Sequence, residues 1–241
     1  MITKSQIKYI RGLSLKKNRM KEQCFIVEGA KSLYELLDSS FEVVELFALK
    51  DWITENKEVS EKVHTVSSKE LERISNLKSP NKVLAVVKMR KQEIICQQSE
   101  VVLVLDDIND PGNLGTIIRM CDWFGVKQIV CSENTVDIYN PKVIQATMGS
   151  LFRVNVVYVN LVKYLGTVNT LIYGAYMQGE NIRNINSERS VHLVMGNEAS
   201  GISPEVSKFI TDKVAIKNIG GRTESLNVAV ATSILLHEFC N

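Results

Sequence analysis

The sequence predicts an α/β protein: a parallel sheet in the C-terminal part, preceded by a smaller N-terminal α/β unit. Two observations carry this. Apolar runs such as VVLVL (Val101–Leu105) and VHLVM (Val191–Met195, apolar but for His192) show the pattern of strands covered on both faces. Segments with helical spacing alternate with them, and parallel strands need such crossovers. The composition agrees: 241 residues, 45% hydrophobic and 23% charged, suit an ordinary globular chain with a sizeable core.

In the N-terminal part, Ile7, Ile10 and Leu13 lie on one face of a first helix. CFIVEG is a strand that ends at Gly29, and a helix follows near Lys31–Leu37. VVELFAL and VHTVS are further strands, SKELERISNL a helix and KVLAVVKM a closing strand. Residues 1–90 form this first domain. The polar stretch 91–100 reads as a linker, and 101–241 as the second domain. There, VVLVLDDI, KQIVCS, LIYGAYM, VHLVMG and KVAIKN read as strands. Helices are expected near Asn113–Phe124, Pro141–Ser150, Pro204–Thr211 and Glu224–Phe239.

Several classes are disfavoured. The apolar stretches are too short to span a membrane. The start, MITKSQIKYIRG, has no apolar signal core, so a cytoplasmic location is expected. Five scattered cysteines without a Cys-x-x-Cys pair and three isolated histidines suggest neither a disulfide framework nor a metal site. Cys121, Cys131 and Cys240 lie in apolar segments and read as core thiols. Residues 1–100 hold 18 basic against 14 acidic side chains. Among the first 31 residues, Lys4, Lys8, Arg11, Lys16, Lys17, Arg19, Lys21 and Lys31 face only Glu22 and Glu28. That start is either a solvated basic face or a surface for a polyanion such as nucleic acid.

In parallel sheets ligands sit beyond the carboxyl ends of the strands. Three loops there are unusually polar. In the first, Asp106 to Gly125, Asp110-Pro111-Gly112 makes a turn and Asn113 can cap a helix that carries Arg119 on an otherwise apolar course. GNLGT lacks the G-x-G-x-x-G spacing, which argues against a dinucleotide-dependent oxidoreductase. In the second, LVMGNEASGISPE, Gly196 permits close backbone approach, Gly201 a sharp turn, and Ser203-Pro204 a helix start; Glu198 sits between the glycines. In the third, Gly220-Gly221 precede Ser225 and Asn227, which open a nearly all-apolar helix. Such a helix is buried against the sheet or a second subunit.

NLGTIIR, LVMGNEASGI and AIKNIGGRTESLNVAVATSILLHE, in this order and spacing, resemble the three signatures of the SpoU/TrmH family in the SPOUT superfamily of RNA methyltransferases. NRMKEQCFIVEGAKSLYELL resembles the RNA substrate-binding domain often fused to it, a fold akin to a small ribosomal protein. The resemblance implies methyl transfer from S-adenosyl-L-methionine to a ribose 2′-hydroxyl, a homodimer, and a deep trefoil knot in the C-terminal domain. It implies cofactor contacts from Gly196, Ile216 and Leu226, with Asn197, Gly201 and the Thr147–Ser150 turn (Met148, Gly149) nearby. Asn113, Arg119, Glu198, Ser225 and Asn227 match the family's polar site residues. Arg119 is there either a proton acceptor or a phosphate clamp, oriented by Asn113 and Glu198, and Ser225 steers an RNA phosphate. One departure is Lys217, where the family usually has proline. The RNA-binding-like first domain favours ribosomal RNA; transfer RNA, or a catalytically silent RNA- or ribosome-binding role, is the alternative.

Overall fold

The computed structural model describes residues 2–57, 63–91, 93–95, 101–185 and 190–240. The chain divides into two compact units. One holds residues 1–91 with 137–152; the other holds 92–136 with 153–241. Segment 137–152, inside the expected second domain, thus clusters with the N-terminal residues. Cys96 and most of the expected linker lie outside the described residues.

The N-terminal unit begins with α1 (Lys4–Gly12) and α2 (Lys16–Glu22). Then come β1 (Cys24–Glu28), α3 (Ala30–Leu37), β2 (Val43–Ala48), α4 (Lys50–Glu55), β3 (Val63–Thr65), α5 (Ser68–Ile74) and β4 (Val83–Lys88). The sheet order is β1-β4-β2-β3, antiparallel except for β2 beside β3. Ile10 and Leu13 bury as the spacing predicts, against Ile26, Phe47, Ile74 and Val86. Reciprocal side-chain and backbone bonds cap α1 through Thr3 and Gln6 and α5 through Ser67 and Glu70. The Ser67 N–H, then the Ile2 N–H and the Ser67 hydroxyl, hold the Glu70 carboxyl down at about 2.

Segment 137–152 is built into this unit. Phe25 packs on Tyr139 with ring centroids 4.5 Å apart, and Phe41 on Phe152 at 5.2 Å. Arg19 is not part of a solvated basic face. Its side chain is 2% exposed and donates to Asp137 Oδ2 at 2.6 Å and to the carbonyls of Leu13 and Ser14. Removing one member of a buried pair strands the other's charge. Arg19→Met is therefore expected to lower the unit's unfolding free energy by about 3–5 kcal/mol, read by denaturant titration.

The second unit starts at β5 (Val101–Leu105) and α6 (Pro111–Trp123), then β6 (Gln128–Ser132). Helix α7 (Pro141–Thr147) belongs to the N-terminal unit. β7 (Asn155–Val159), α8 (Leu161–Leu165), β8 (Leu171–Asn181), β9 (Val191–Met195), α9 (Pro204–Ser207), β10 (Asp212–Ala215) and α10 (Val228–Phe239) follow. Six strands in the order β10-β8-β9-β5-β6-β7 form an all-parallel sheet. Its core on one face joins Val104, Val130, Val157 and Val194 to Leu161, Leu165 and Val206. The strand β7 is absent from the sequence expectation. The last helix starts at Val228 and not at Glu224, because Asn227 is the cap and accepts from the N–H groups of Ala229 and Val230. Cys121 and Cys131 are buried and Cys240 is half-buried. Among the described residues, no helix is long and apolar enough to cross a membrane.

His192 on β9 sits between the Tyr164 hydroxyl at 2.8 Å and the Thr170 hydroxyl at 2.9 Å. Burial pushes its imidazole down to about 4. The unfolded chain, with an ordinary imidazole near 6.5, takes up the proton first. Stability is thus full above pH 6.5 and falls by about 3 kcal/mol as the pH drops to 4. The variant His192→Gln is expected to flatten that part of the pH–stability curve in thermal melts.

Candidate active site

Chain order reverses between β5 and β9: β6 and β7 extend to one side of β5, while β8 and β10 lie beyond β9. Such a switch point opens a crevice at the carboxyl ends of the strands. The first and second motif loops leave these two neighbouring strands.

At the end of β5, Asp110 caps α6 by accepting from Asn113 N–H at 2.8 Å, with Pro111 in the first helical position. The expected cap, Asn113, sits one turn inside, which frees its side-chain amide. That amide donates to Glu198 Oε1 at 2.8 Å and accepts from Asn227 Nδ2 at 2.9 Å. One residue from each motif loop therefore meets in a single hydrogen-bonded chain: Glu198, Asn113 and Asn227.

The second loop is braced from within. Asn197 and Gly201 exchange backbone hydrogen bonds at 3.0 and 2.9 Å, and Gly201 has φ +71°. The Asn197 side chain donates to the Asp107 carbonyl at 2.7 Å and accepts from the N–H groups of Ala199 and Ser200. A Cβ on Gly196 would collide with the backbone of Gly201 and Ile202. Buried Asp106 accepts from Ser203 N–H at 2.8 Å and fixes the start of α9. The third loop is held by Asn218, which donates to the Thr223 carbonyl and accepts from Gly221 N–H, both at 2.9 Å. Sequence reasoning passed over Asp106, Asp107 and Asn218. The usable signal was an acidic pair at a buried strand's end, where a carboxylate or carbonyl can collect loop amides.

The second and third loops line a cavity of about 890 Å³. Gly196, Asn197, Gly201, Ile216 and Leu226 line it, as do Glu198, Ser225 and Asn227. Met195, Val214, Ala231 and Leu235 add apolar wall, and Lys217 contributes at the third loop. The volume lies within the range of small-molecule sites.

A family model described as the SpoU rRNA Methylase family matches residues 100–237. The chain belongs to the SpoU rRNA methylase family. A second model, an MRM3-like substrate binding domain, matches residues 4–85. The 23S rRNA (guanosine(2553)-2′-O)-methyltransferase RlmP of Bacillus subtilis is 30% identical over 96% of this chain and 94% of its own. A solved TrmH-family protein from Porphyromonas gingivalis is similar with TM-score 0.89 at 34% identity, covering 99% of this chain and 98% of that one. An AdoMet-bound rRNA methyltransferase from Sinorhizobium meliloti is similar with TM-score 0.89 at 28% identity, covering 99% and 95%.

Two sets of expected site residues of this SpoU-family chain are not among the residues that line the cavity. Met148 and Gly149 lie in segment 137–152 of the N-terminal unit, where a Cβ on Gly149 would press on the Glu35 side chain. Arg119 is exposed on α6, and among the described residues its guanidinium has no hydrogen-bond or ion-pair partner. It lies six residues from Asn113, about 120° around the helix. Asn113 and Glu198 bond to each other rather than to Arg119.

Proposed function

We propose that this protein transfers a methyl group from S-adenosyl-L-methionine to a ribose 2′-hydroxyl of RNA, with large-subunit ribosomal RNA as the preferred substrate. The carrying observation is the meeting of Glu198, Asn113 and Asn227, one from each signature, beside a cavity at the strands' carboxyl ends. The names of similar proteins support the same chemistry: RlmP is a 23S rRNA 2′-O-methyltransferase, and the Sinorhizobium protein holds AdoMet.

The cavity fits the cofactor. Gly196 lets the 196–202 loop fold back onto its own backbone, and Ile216, Leu226 and Leu235 offer apolar wall for an adenine face. Glu198 and Glu224 put carboxylates on the lining, suited to a cationic ligand. S-adenosyl-L-methionine supplies an electrophilic methyl group when bound. The ribose oxygen must lose its proton as it takes that methyl, and it must be held in line. Gly196, Ile216 and Leu226 contact the cofactor, with Asn197 and Gly201 nearby. Asn113, Glu198 and Asn227 fix the three loops to one another. Ser225 positions an RNA phosphate. Arg119 clamps phosphate, since a guanidinium offers a fork of donors and no acceptor; water or the phosphate receives the proton.

The same reading includes a homodimer. Trp123, four residues after Arg119 on the same face of α6, is 81% exposed, and Val230 on α10 is 49% exposed. α10 packs on α6, so these side chains belong to one helical layer that a second copy would cover. It also includes the trefoil knot. Its support is that the chain passes from β10, at the sheet edge, to α10 beside α6 through the 216–227 segment. The domains proposed are RNA binding for 1–90 and methyl transfer for 101–241, in the bacterial cytoplasm.

The test is transfer of labelled methyl from S-adenosylmethionine to total RNA of a strain lacking this protein. Label in large-subunit rRNA supports the reading, and label in tRNA keeps the chemistry and overturns the substrate. Absence of label from naked RNA and ribosomal particles alike overturns the enzymatic reading.

A further inference from the structure

A second cavity lies wholly within the N-terminal unit, and its volume is about 280 Å³. It is walled by the end of β1, the turn after α5 and the start of α7. None of the residues assigned to methyl transfer lines it.

Its chemistry is specific. Ile26, Leu77 and Ile144 give an apolar wall. Asn76, Asn140 and Gln145 bring three amides, each with donors and an acceptor. Asn140 Oδ1 accepts from Lys142 N–H, which leaves its NH₂ available. The side-chain amides of Asn76 and Gln145 make no hydrogen bond among the described residues. Glu28 adds a carboxylate held in place by the Ser75 hydroxyl and by Asn76 N–H at 3.0 Å. Opposite charge comes from exposed Lys142 on the lining.

A free phosphate would be repelled by Glu28. A purely apolar ligand would strip water from the Asn76, Asn140 and Gln145 amides and give no hydrogen bond in return. A flat heteroaromatic ring with N–H and carbonyl groups on its edge satisfies both walls. Unpaired bases splayed from RNA loops are recognised in this manner, through their faces and edges. Building on the RNA reading above, we propose that this cavity takes one unpaired nucleobase of the RNA substrate. Lys142 meets the flanking phosphate. The contact anchors the RNA at a point other than the methylated ribose.

The test uses the full-length protein with the double variant Asn76→Ala/Gln145→Ala, and separately Lys142→Ala. All three side chains are exposed, and unchanged melting curves verify the fold. The expected result is a rise in KM for an rRNA fragment of about tenfold, with kcat and S-adenosylmethionine affinity unchanged. A 4-thiouridine-substituted fragment should also crosslink to the peptides holding Leu77 or Ile144. An unchanged KM with wild-type activity intact overturns the base pocket and leaves the proposed function standing. If wild type methylates no RNA, fluorescence anisotropy with the same fragment decides. Weaker binding by the double variant supports the pocket, and equal binding overturns it.

Discussion

Arg119→Ala is expected to lower kcat for RNA methylation roughly 100-fold, the cost of losing in-line placement when the phosphate clamp is gone. S-adenosylmethionine affinity should stay within a few-fold, because Arg119 does not line the 890 Å³ cavity. Stability should be unchanged: the side chain is exposed, and alanine is the better helix former. Arg119→Lys keeps the charge but loses the planar fork, and should recover only part of the rate. Single-turnover kinetics with calorimetric cofactor binding separates the cases. Collapse of cofactor affinity in Arg119→Ala would make Arg119 a cofactor contact and not an RNA clamp.

The second large effect is expected at Gly196. A methyl there meets the backbone of Gly201 and Ile202, and that backbone is tied to Asn197 by two hydrogen bonds. The loop cannot move without breaking them. Overpacking of this kind costs about 1–3 kcal/mol. If it falls on the binding-competent loop shape, Gly196→Ala weakens cofactor binding roughly 5- to 150-fold. Gly220→Ala is the control, because a methyl there meets open space. Calorimetric titration with S-adenosylmethionine reads both. Equal affinities would mean that the 196–202 loop does not shape the cofactor site.

The fold was legible where burial is two-sided. Strands β5 and β9 sit centrally in the sheet, covered on both faces, so their runs, apolar but for His192, stand out. β7 is an edge strand with polar Asn155 and Tyr158 in its five residues, and its pattern is correspondingly weak. Loop chemistry was legible as composition but not as pairing. Glycines, amides and carboxylates marked the three loops, whereas Asn113 reaches Glu198 across 85 positions and Asn227 across 114. No local rule reports such bonds. Arg19 makes the same point: inside a basic run it reads as solvated or as part of a polyanion surface, and only its partner 118 residues away explains its burial. The helix starts failed by a few residues for a simpler reason. Asp110 and Asn113 are both competent caps, and Pro111 in the first turn decides for Asp110.

The central claim is that the chain methylates a ribose oxygen of ribosomal RNA. The most direct measurement compares large-subunit rRNA from wild-type cells and cells lacking the protein, digested to nucleosides and mapped for alkali-resistant positions. Loss of one 2′-O-methyl nucleotide, restored by wild type but not by Arg119→Ala, is the predicted result. An unchanged set of 2′-O-methyl positions, or loss of a base methyl instead, would contradict it.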